Sequence, residues 1–544
     1  MADAEVDVQT DAGNSKRPSL TAWGLIAAGL LGLTASAYGV RAAGVGLDAF
    51  IDIDAATETR SLPVGSSLSQ AYEAVYYTAE FYGISVVQLA EILKSVFGFG
   101  SGFLKPGQLG DYRWMAVVNV ALTVVGAVSL AIAVFVVFRS MLAATFTWAL
   151  LMVTPLLVGS AHVNWKDVPV ATGLSMVSSG LIIAYAGRSG SARWVGGMAL
   201  TAPGASIAMT GRPASWALVL LLVAGSGVTL LGADVLRRRL RSASAWPVLA
   251  SGVVAVAAGL LALWLTNPFG RIDLFRWLWD SATVMSRYPI ELEVLTLGQP
   301  LLSTGLPWWY VPVWFLAQTP TFTLLLLAVT TFVIGAAILG RTWAPRKSSL
   351  VTLSPLMWQG VLIPAGIVIS GAVLYDGIRQ VLFMVPALVA ITSVGVAAAE
   401  EALGGQRSQW VRQVAPAAAI LVVTASLIAS VRWIPYSYAY INPVAGWEKV
   451  DRQWDLDYWG VTAFEGVNRL KATGLEWIAV VPFANSSFMM GAGWESDVAE
   501  STSGDFGKYA FLRWDSSVGD CERLFVIERA GHVLGEGGRC ASDS

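Results

Sequence analysis

Two short polar segments carry the side chains best suited to chemistry. The first runs from Ile51 to Arg60 as Ile-Asp-Ile-Asp-Ala-Ala-Thr-Glu-Thr-Arg, with carboxylates at Asp52 and Asp54. Carboxylates at i and i+2 beside an apolar segment offer a general base whose pKa is raised by partial desolvation. A structural interpretation is also open, as a solvated loop or as a helix N-cap at Asp54 with Glu58 behind it.

The second segment, Ser160 to Val170, reads Ser-Ala-His-Val-Asn-Trp-Lys-Asp-Val-Pro-Val between two apolar stretches. Ionisable groups between membrane helices are costly and mark functional sites by default. The candidates here are His162, Asn164, Lys166 and Asp167. Asp167 can also cap the following helix, because Pro169 stands just inside it. A lone His162 is more typical of a histidine packed at a helix interface.

The composition identifies the elements that must hold these residues. Of the 544 residues, 55% are hydrophobic and 13% are charged, and the mean hydropathy is +0.61. Soluble proteins carry about 25% charged residues, so a disordered chain, a nucleic-acid-binding protein and an ordinary cytosolic enzyme are excluded. The 35 basic and 37 acidic residues nearly cancel, and two Cys and two His are too few for a structural zinc site.

Apolar stretches of about 18 residues or more are long enough to cross a bilayer. We expect eleven spans, which begin near Thr21, Met115, Met141, Val168, Trp194, Ala214, Ala245, Thr321, Leu356, Gln380 and Val414. Lys16 and Arg17 precede the first span, and clusters such as Arg237 to Arg241 fall on the same side. The positive-inside rule makes this side cytoplasmic. We therefore expect a multi-pass protein of the cytoplasmic (plasma) membrane, with its N-terminus cytoplasmic.

The fold class predicted is a polytopic α-helical membrane protein with a small extracytoplasmic α/β domain at its C-terminus. Residues 1–20 are predicted to be a disordered cytoplasmic tail, and 21–433 the transmembrane domain. External loops are expected at 43–112 and 267–320, the first with amphipathic helices at Ser69–Tyr82 and Ser85–Phe97 that lie on the membrane. Nearly all the remaining charges crowd these external loops rather than the spans.

Residues 434–544 differ in kind from the spans. They hold 25 of the 72 charged residues (35 basic plus 37 acidic), and strand-like runs occur at Trp477–Pro482 and Leu524–Ile527. Both cysteines, Cys521 and Cys540, lie here, where an extracellular location would let a disulfide persist. Two free thiols are the alternative.

The order and spacing of several segments resemble membrane glycosyltransferases of the GT-C class, in particular the protein O-mannosyltransferase and aminoarabinose transferase families. The resemblance covers about residues 20–470. It includes the acidic segment after the first span, Asn164 to Pro169, and a turn from Tyr375 to Gln380. The remaining matching segments are Gly298–Pro300, Pro307–Tyr310, Gln318–Pro320, Tyr436–Tyr440, Asn442–Pro443 and Asp457–Gly460.

The resemblance implies inverting transfer of a sugar, hexose or pentose, from a polyprenyl-phosphate donor to an extracytoplasmic glycan, lipid or protein. The family's catalytic carboxylate closes the first span in a pair like Asp-Glu. Asp54 is the better match and Asp52 the second candidate, although Ala55 stands where the family has Glu. Asp167 matches the second family acid.

Such a transfer needs cations for the developing phosphate charge, and an Arg fork binds phosphate bidentately. Lys166 and Arg379 are the main candidates, with Arg60, Arg113 and Arg287 as weaker ones. The substrate groove is expected to include His162, Asn164, Trp308, Trp309, Tyr310 and Asp376. A divalent cation, Mg or Mn, is a candidate cofactor if Asp52, Asp54 and Asp167 converge.

Two other functions fit a chain of this composition. One is a transporter or lipid-carrier flippase with charged external gates, and the other is a membrane scaffold whose external domain binds a wall component. A transporter would hold ionisable residues at mid-span, whereas here they stand at the external mouth. The distribution of charge therefore favours the enzyme.

Overall fold

The structure of the chain is a computed structural model. It describes residues 19–45, 49–63, 65–75, 79–97, 103–105, 109–186, 192–236, 245–288, 290–340, 347–404, 406, 408–446, 450–472, 478–481, 498–500, 510–513 and 522–539. Residues 1–18, most of the predicted N-terminal tail, lie outside the described residues, and so do Cys521 and Cys540 of the predicted disulfide.

Helices make up most of the described chain. They are α1 (Leu20–Ala42), α2 (Ala49–Arg60), α3 (Leu68–Glu73), α4 (Ser85–Val96), α5 (Leu109–Phe138), α6 (Met141–Val153), α7 (Pro155–Val163), α8 (Asp167–Ala186), α9 (Ala192–Gly211), α10 (Trp216–Leu236), α11 (Ala245–Thr266), α12 (Pro268–Ser286), α13 (Tyr310–Gln318), α14 (Thr321–Ile338), α15 (Lys347–Thr352), α16 (Ser354–Met357), α17 (Ile363–Ile369), α18 (Met384–Gly404), α19 (Gln409–Arg412), α20 (Val414–Trp433) and α21 (Thr462–Lys471).

The chain is a polytopic helical membrane protein, but the predicted count of eleven spans is not confirmed. Within the described residues, eight helices are long and apolar enough to cross a membrane, and a ninth span results if α6 and α7, bent by 52°, are taken as one. The predicted span at Trp194 is a helix too rich in Gly, Ala and Ser to reach that hydropathy. The one at Leu356 is the short apolar segment Ser354–Ile369, which contains a π-helical turn at Trp358–Leu362.

The first span packs closely on the bent pair α6–α7. A Cβ atom added at Gly29 or Gly39 would lie 2.1 Å from Trp148 or 2.0 Å from His162. Small residues let membrane helices approach this closely. His162 therefore lies in a helix interface, where its Nε2 is 3.2 Å from the hydroxyl of Ser36. Helix α8 lies inside the bundle, since every residue from Asp167 to Ala184 is buried.

The loops and short helices that contain most of the predicted site residues lie at one end of the bundle, where α1 ends and α8 begins. We call this the site end. Helices α2, α3, α4 and α12 lie here, joined by hydrogen bonds such as Tyr72 Oη to Asp280 Oδ2 at 3.1 Å. The helix expected at Ser85–Phe97 is confirmed as α4. Among the described residues of the other predicted helix, Ser69–Tyr82, those up to Glu73 belong to α3 and Ala79–Phe81 form a 3-10 turn.

Two buried ion pairs fix the first loop at the site end. Arg60 donates to both carboxylate oxygens of Glu91, at 2.9 and 2.5 Å. Lys94 Nζ lies 2.7 Å from Asp111 Oδ1. Helix α4 is thereby bound to α2 on one side and to the start of α5 on the other.

A β-hairpin joins the loop after α12 to the C-terminal part of the chain. Strands β1 (Glu293–Thr296) and β2 (Gln299–Leu302) pair antiparallel around Leu297 and Gly298, both with positive φ. Gly298 N donates to Gln453 O at 3.0 Å. The residues after the last span are therefore anchored on the site end.

The C-terminal region is the α/β unit expected. Its strands are β3 (Ile478–Val481), β4 (Val498–Glu500), β5 (Ala510–Arg513), β6 (Glu522–Arg529) and β7 (His532–Arg539). They form one sheet in the order β4-β3-β5-β7-β6, in which β3 is parallel to β4 and β5, and β7 is antiparallel to β5 and β6. Helix α21 packs against this sheet. The two predicted strand runs are confirmed as β3 and β6, and the domain boundaries remain predictions.

Candidate active site

Three cationic side chains line one pocket at the site end. The pocket has an empty volume of about 390 Å³, part of it open to solvent, and is lined by Tyr82, Lys166, Arg212, Met285, Tyr288, Val373, Tyr375, Arg379 and Gln380. These residues come from five parts of the sequence, which the bundle brings together. We call this the cation pocket.

Lys166 is held by the turn between α7 and α8. Asn164 Oδ1 accepts the backbone N–H of Asp167 at 2.9 Å, and Asn119 donates to the Asn164 carbonyl at 2.8 Å, so both ends of the turn are fixed. The ammonium lies 3.3 Å from Asp52 Oδ1 and 3.9 Å from the centre of the Tyr82 ring. Lys166 and Asp52 are both buried, and the pair joins α2 to the bundle.

Arg212 stands at the end of α9, just before Pro213. Its Nε lies 2.8 Å from Asp167 Oδ1, and Asn164 Nδ2 donates to the other oxygen of Asp167 at 2.9 Å. Both oxygens of Asp167 therefore have partners, and the carboxylate orients Arg212. The Arg212 side chain is 26% exposed, so part of the guanidinium is open to the pocket.

Arg379 is clamped between two aromatic rings. Its guanidinium carbon lies 4.6 Å from the ring centres of both Tyr375 and Trp459, and Nη2 lies 2.9 Å from Asp376 Oδ2. Asp376 and Gly377 have φ of 58° and 70°, a left-handed bend that glycine adopts readily. This bend turns the Asp376 carboxylate toward Arg379, and the Gly377 N–H donates to Tyr310 Oη at 3.1 Å.

Trp459 is positioned by a buried carboxylate in the segment after the last span. Asp457 accepts hydrogen bonds from the hydroxyls of Tyr438 and Thr462 and from the backbone N–H groups of Val461 and Thr462. A carboxylate with this many donors holds its loop rigidly. The C-terminal region thus supplies one side of the Arg379 clamp.

The cations of the cation pocket face its open space, and the carboxylates that pair with them lie behind the lining. Within the described residues, the lining includes three cations but none of their partner carboxylates, Asp52, Asp167 and Asp376. The side-chain amide of Gln380, also in the lining, makes no hydrogen bond to the described part of the chain. The open surface therefore presents donors and positive charge, the arrangement that binds a phosphate group.

Several residues predicted for the site lie elsewhere. Arg60 is engaged by Glu91, Arg113 donates to the Arg41 carbonyl at 3.0 Å, and His162 faces α1. Arg287, Trp308 and Trp309 are not in the pocket lining, and Trp308 is 75% exposed.

The two candidate bases occupy different environments. Neither lines the cation pocket. Asp52 is buried against Lys166, which does line it, whereas Asp54 is partly exposed. Burial and, less strongly, the charge of Glu58 raise the pKa of the Asp54 carboxyl above its ordinary value of 3.8. Side chains two residues apart on a helix point about 200° apart, so α2 turns only Asp52 toward Lys166.

In the described chain, Asp52, Asp54 and Asp167, the three aspartates predicted to hold a divalent cation, do not gather into one group of ligands, and the cofactor stays a prediction. Within the described residues, no group of three or more His, Cys, Asp or Glu side chains is placed to hold a metal ion. Asp52, Asp167 and Asp376 each face a cationic side chain instead. We derive no step through a metal.

Sequence reasoning did not identify Arg212, Tyr82, Tyr375, Gln380 or Trp459 as site residues. Arg212 had a detectable signal, because it is a single Arg between two apolar helices, immediately before a proline, and ionisable residues there are functional by default. The aromatic residues had none, since their roles depend on where the loops fold back.

Comparison with known proteins gives similarity to solved structures. One is ArnT from Cupriavidus metallidurans bound to undecaprenyl phosphate, with 13% identity, a TM-score of 0.49, and coverage of 95% of this chain and 98% of that one. Another is the archaeal oligosaccharyltransferase AglB from Archaeoglobus fulgidus in complex with an inhibitory peptide and a dolichol-phosphate, with 12% identity, a TM-score of 0.48, and coverage of 78% and 56%. No protein-family model and no curated protein matches the chain.

Proposed function

We propose that this chain is a membrane glycosyltransferase that moves a sugar from a polyprenyl-phosphate donor to an acceptor at the site end. The observation that carries the proposal is the cation pocket, where Lys166, Arg212 and Arg379 line one cavity at the end of an apolar bundle. An amphiphile with a phosphate head and a hydrocarbon tail matches both parts. The phosphate would meet the cations while the tail stays among the spans.

The transfer requires a base, and we assign it to Asp52. In an inverting reaction the acceptor oxygen attacks C1 of the sugar, its proton passes to the carboxylate, and the bond from C1 to the phosphate oxygen breaks. The leaving phosphate keeps the electron pair of that bond. Asp52 is favoured over Asp54 because it lies 3.3 Å from Lys166, a cation of the pocket lining, and so stands close to the proposed site of bond cleavage.

The cations would act mainly on the leaving group. Charge develops on the phosphate as the bond to C1 breaks, and fixed donors aimed at that charge stabilise the transition state. The rings of Tyr375 and Trp459 fix the orientation of the Arg379 guanidinium. The Asp167 carboxylate does the same for Arg212. These residues are therefore ready before the donor arrives, and little reorganisation is needed.

Sidedness and acceptor belong to the same proposal. We propose that the site end is extracytoplasmic, in the cytoplasmic membrane, with the N-terminus on the cytoplasmic side. The acceptor would be an envelope glycan, lipid or protein. Labelling single-cysteine variants of exposed residues at the two ends with an impermeant thiol reagent in intact cells tests the orientation.

The function is tested first by binding. Undecaprenyl phosphate added to the purified protein should raise its melting temperature, and the corresponding alcohol should not, because only the phosphate engages the cations. Arg379→Gln should remove the difference. Equal stabilisation by both lipids would contradict a phosphate site.

Turnover is tested with a panel of undecaprenyl-phosphate-linked hexoses and pentoses and a cell-envelope fraction as acceptor. Release of undecaprenyl phosphate, measured by mass spectrometry, is the expected result for one of the sugars. Movement of an intact donor across liposomes without loss of sugar would instead support a flippase and overturn the proposal.

A further inference from the structure

A second pocket with fixed cations lies at the site end, apart from the cation pocket. It is an open pocket with an empty volume of about 860 Å³, part of it bulk solvent, between the end of α1, the residues after α20, and helix α21 with strand β6. Tyr38, Pro435, Glu465, Asn468, Arg469 and Arg529 are in its lining, and none of its residues lines the cation pocket. We call it the rim pocket.

The rim pocket has two guanidinium groups and one carboxylate. Arg529 Nη2 lies 2.7 Å from one oxygen of Glu465, and Arg469 Nη2 lies 2.5 Å from the other. Burial raises the pKa of Glu465, but the hydrogen bond from Tyr436 and the charges of Arg529 and Arg469 lower it more, so its pKa is below 4.5. The carboxylate is therefore charged at neutral pH, and the three groups sum to +1.

The two arginines keep donors to spare. Two guanidiniums have ten N–H groups. Arg469 uses two, toward Val526 O and Glu465, and Arg529 uses three, toward Ile434 O, Glu528 O and Glu465. Five of the ten thus make no hydrogen bond to the described residues. The side chains of Arg469 and Arg529 are 42% and 22% exposed, so these donors are accessible.

The position of the rim pocket defines its ligand further. Tyr38 and Ala42 belong to the last turn of a span, and Ile434 and Pro435 directly follow another, so the floor of the pocket stands where spans leave the hydrocarbon. Tyr38 is 63% exposed, as is common for tyrosines at the headgroup level. The pocket therefore has arginines on one side and an apolar floor on the other. This arrangement matches a lipid with a phosphodiester headgroup and acyl chains.

We propose that the rim pocket binds the phosphate-bearing headgroup of an anionic membrane lipid and thereby fastens the C-terminal sheet to the bilayer. The headgroup phosphate accepts from the spare N–H groups of Arg469 and Arg529, and the acyl chains run down past Tyr38. Strand β6 is already joined to the end of α20 by the hydrogen bond from Arg529 to Ile434 O, at 3.2 Å. The lipid adds a second attachment, independent of the transfer reaction.

The test uses full-length protein in nanodiscs that contain equal amounts of phosphatidylglycerol and phosphatidylcholine. Native mass spectrometry after release counts the lipids that remain bound. Wild type should retain phosphatidylglycerol preferentially. Asn468→Asp adds a negative charge at an exposed lining position without removing a contact, and should weaken retention about tenfold, the scale of one charge-assisted hydrogen bond. Gln299→Glu makes the same charge change at an exposed position on β2 and should leave retention unchanged.

Two arginine variants provide an independent check. Arg469→Gln should also weaken phosphatidylglycerol retention about tenfold. Arg523→Gln is the matched control, because Arg523 lies on β6 outside the rim pocket and pairs with Glu536, and it should leave retention unchanged. Glu465→Gln removes the competing carboxylate and should increase retention, while a purely structural pair would show only a lower melting temperature.

Inorganic phosphate distinguishes a lipid from a soluble ligand. Titrated into nanodiscs of phosphatidylcholine alone, phosphate should show no saturable binding that Arg469→Gln removes, because the apolar floor contributes nothing to it; phosphate held in the cation pocket would be unaffected by this variant. Equal retention of both lipids by wild type, unchanged retention in both Asn468→Asp and Arg469→Gln, or saturable phosphate binding that Arg469→Gln removes would each overturn the proposal.

Discussion

Buried ion pairs occur in two places at the site end, and they differ in what stands beside them. In the first loop, Asp111 receives Lys94 on one oxygen and the Lys105 N–H on the other, and Glu91 receives Arg60 and the Leu104 N–H. Both oxygens of each carboxylate accept hydrogen bonds, and neither Asp111 nor Glu91 lines the cation pocket or the rim pocket. The second group surrounds the cation pocket.

In that second group the ion pairs are similar, but the cation of each pair also lines a pocket. Lys166, Arg212 and Arg379 each have a carboxylate partner, yet each also faces the cavity. Removing one partner from a buried pair leaves an uncompensated charge and is strongly destabilising. Beside a cavity, water or a ligand can compensate that charge. The two groups therefore differ in one respect, which is that the cations of the second group also line a pocket.

The largest contrast is expected between two buried aspartates that each face a lysine. Asp52→Asn should lower the rate of sugar transfer by about a hundredfold to ten-thousandfold, the usual contribution of a general base. Asp111→Asn should leave the rate per folded molecule unchanged. Single-turnover assays at matched amounts of folded protein measure both. Similar rates in the two variants would end the assignment of Asp52.

Unfolding free energy should be affected in the opposite order, more by losing the lysine of the first-loop pair than by losing the lysine of the cation pocket. Lys94→Met leaves Asp111 buried without its cation and should cost about 3–5 kcal/mol of unfolding free energy. We expect Lys166→Met to cost less, because Lys166 lines the cation pocket and water that enters beside the shorter apolar side chain can solvate the Asp52 carboxylate. Thermal unfolding in one detergent compares them, and restoring stability with Lys94→Met plus Asp111→Leu would confirm that the loop pair is structural.

A smaller effect is expected for the arginine that sequence reasoning missed. Arg212→Gln removes one charge-assisted contact to the donor phosphate and should weaken undecaprenyl phosphate binding about tenfold. Arg287→Gln, an exposed arginine beside the same pocket but outside its lining, should change binding less than about twofold. Equal losses would show that general charge, and not the pocket, attracts the lipid.

The smallest effect concerns pH. Because the folded pKa of Asp54 is raised by burial and by Glu58, the folded state binds more protons than the unfolded state from about its ordinary value, 3.8, up to the raised value. Stability should therefore fall as pH rises through that window, and Asp54→Asn should flatten the slope. Melting temperatures across mildly acidic pH measure it; an unchanged slope would contradict the raised pKa.

The sequence predicts the class of fold well, because apolar length and basic loops report directly on membrane crossing. It also named Lys166 and Arg379, which line the cation pocket, and Asp167, which pairs with Arg212, since charges beside apolar helices are conspicuous; their roles stay predictions. The resemblance ranks Asp54 above Asp52, whereas α2 turns Asp52 toward Lys166. Distinguishing the two by their surroundings requires knowing that the segment is helical and which face meets the bundle. His162 had the right chemistry for a site but packs on Gly39, a contact that depends on helix pairing.

The clamp on Arg379 has a consequence for the order in which the protein becomes active during synthesis. One of its two rings, Trp459, follows all the spans and is translated after them. A nascent chain whose helices are already inserted therefore lacks one of the two rings that hold Arg379. Under the proposed function, full binding of the donor phosphate should begin only once the segment around Asp457 has been made and has folded back against the bundle.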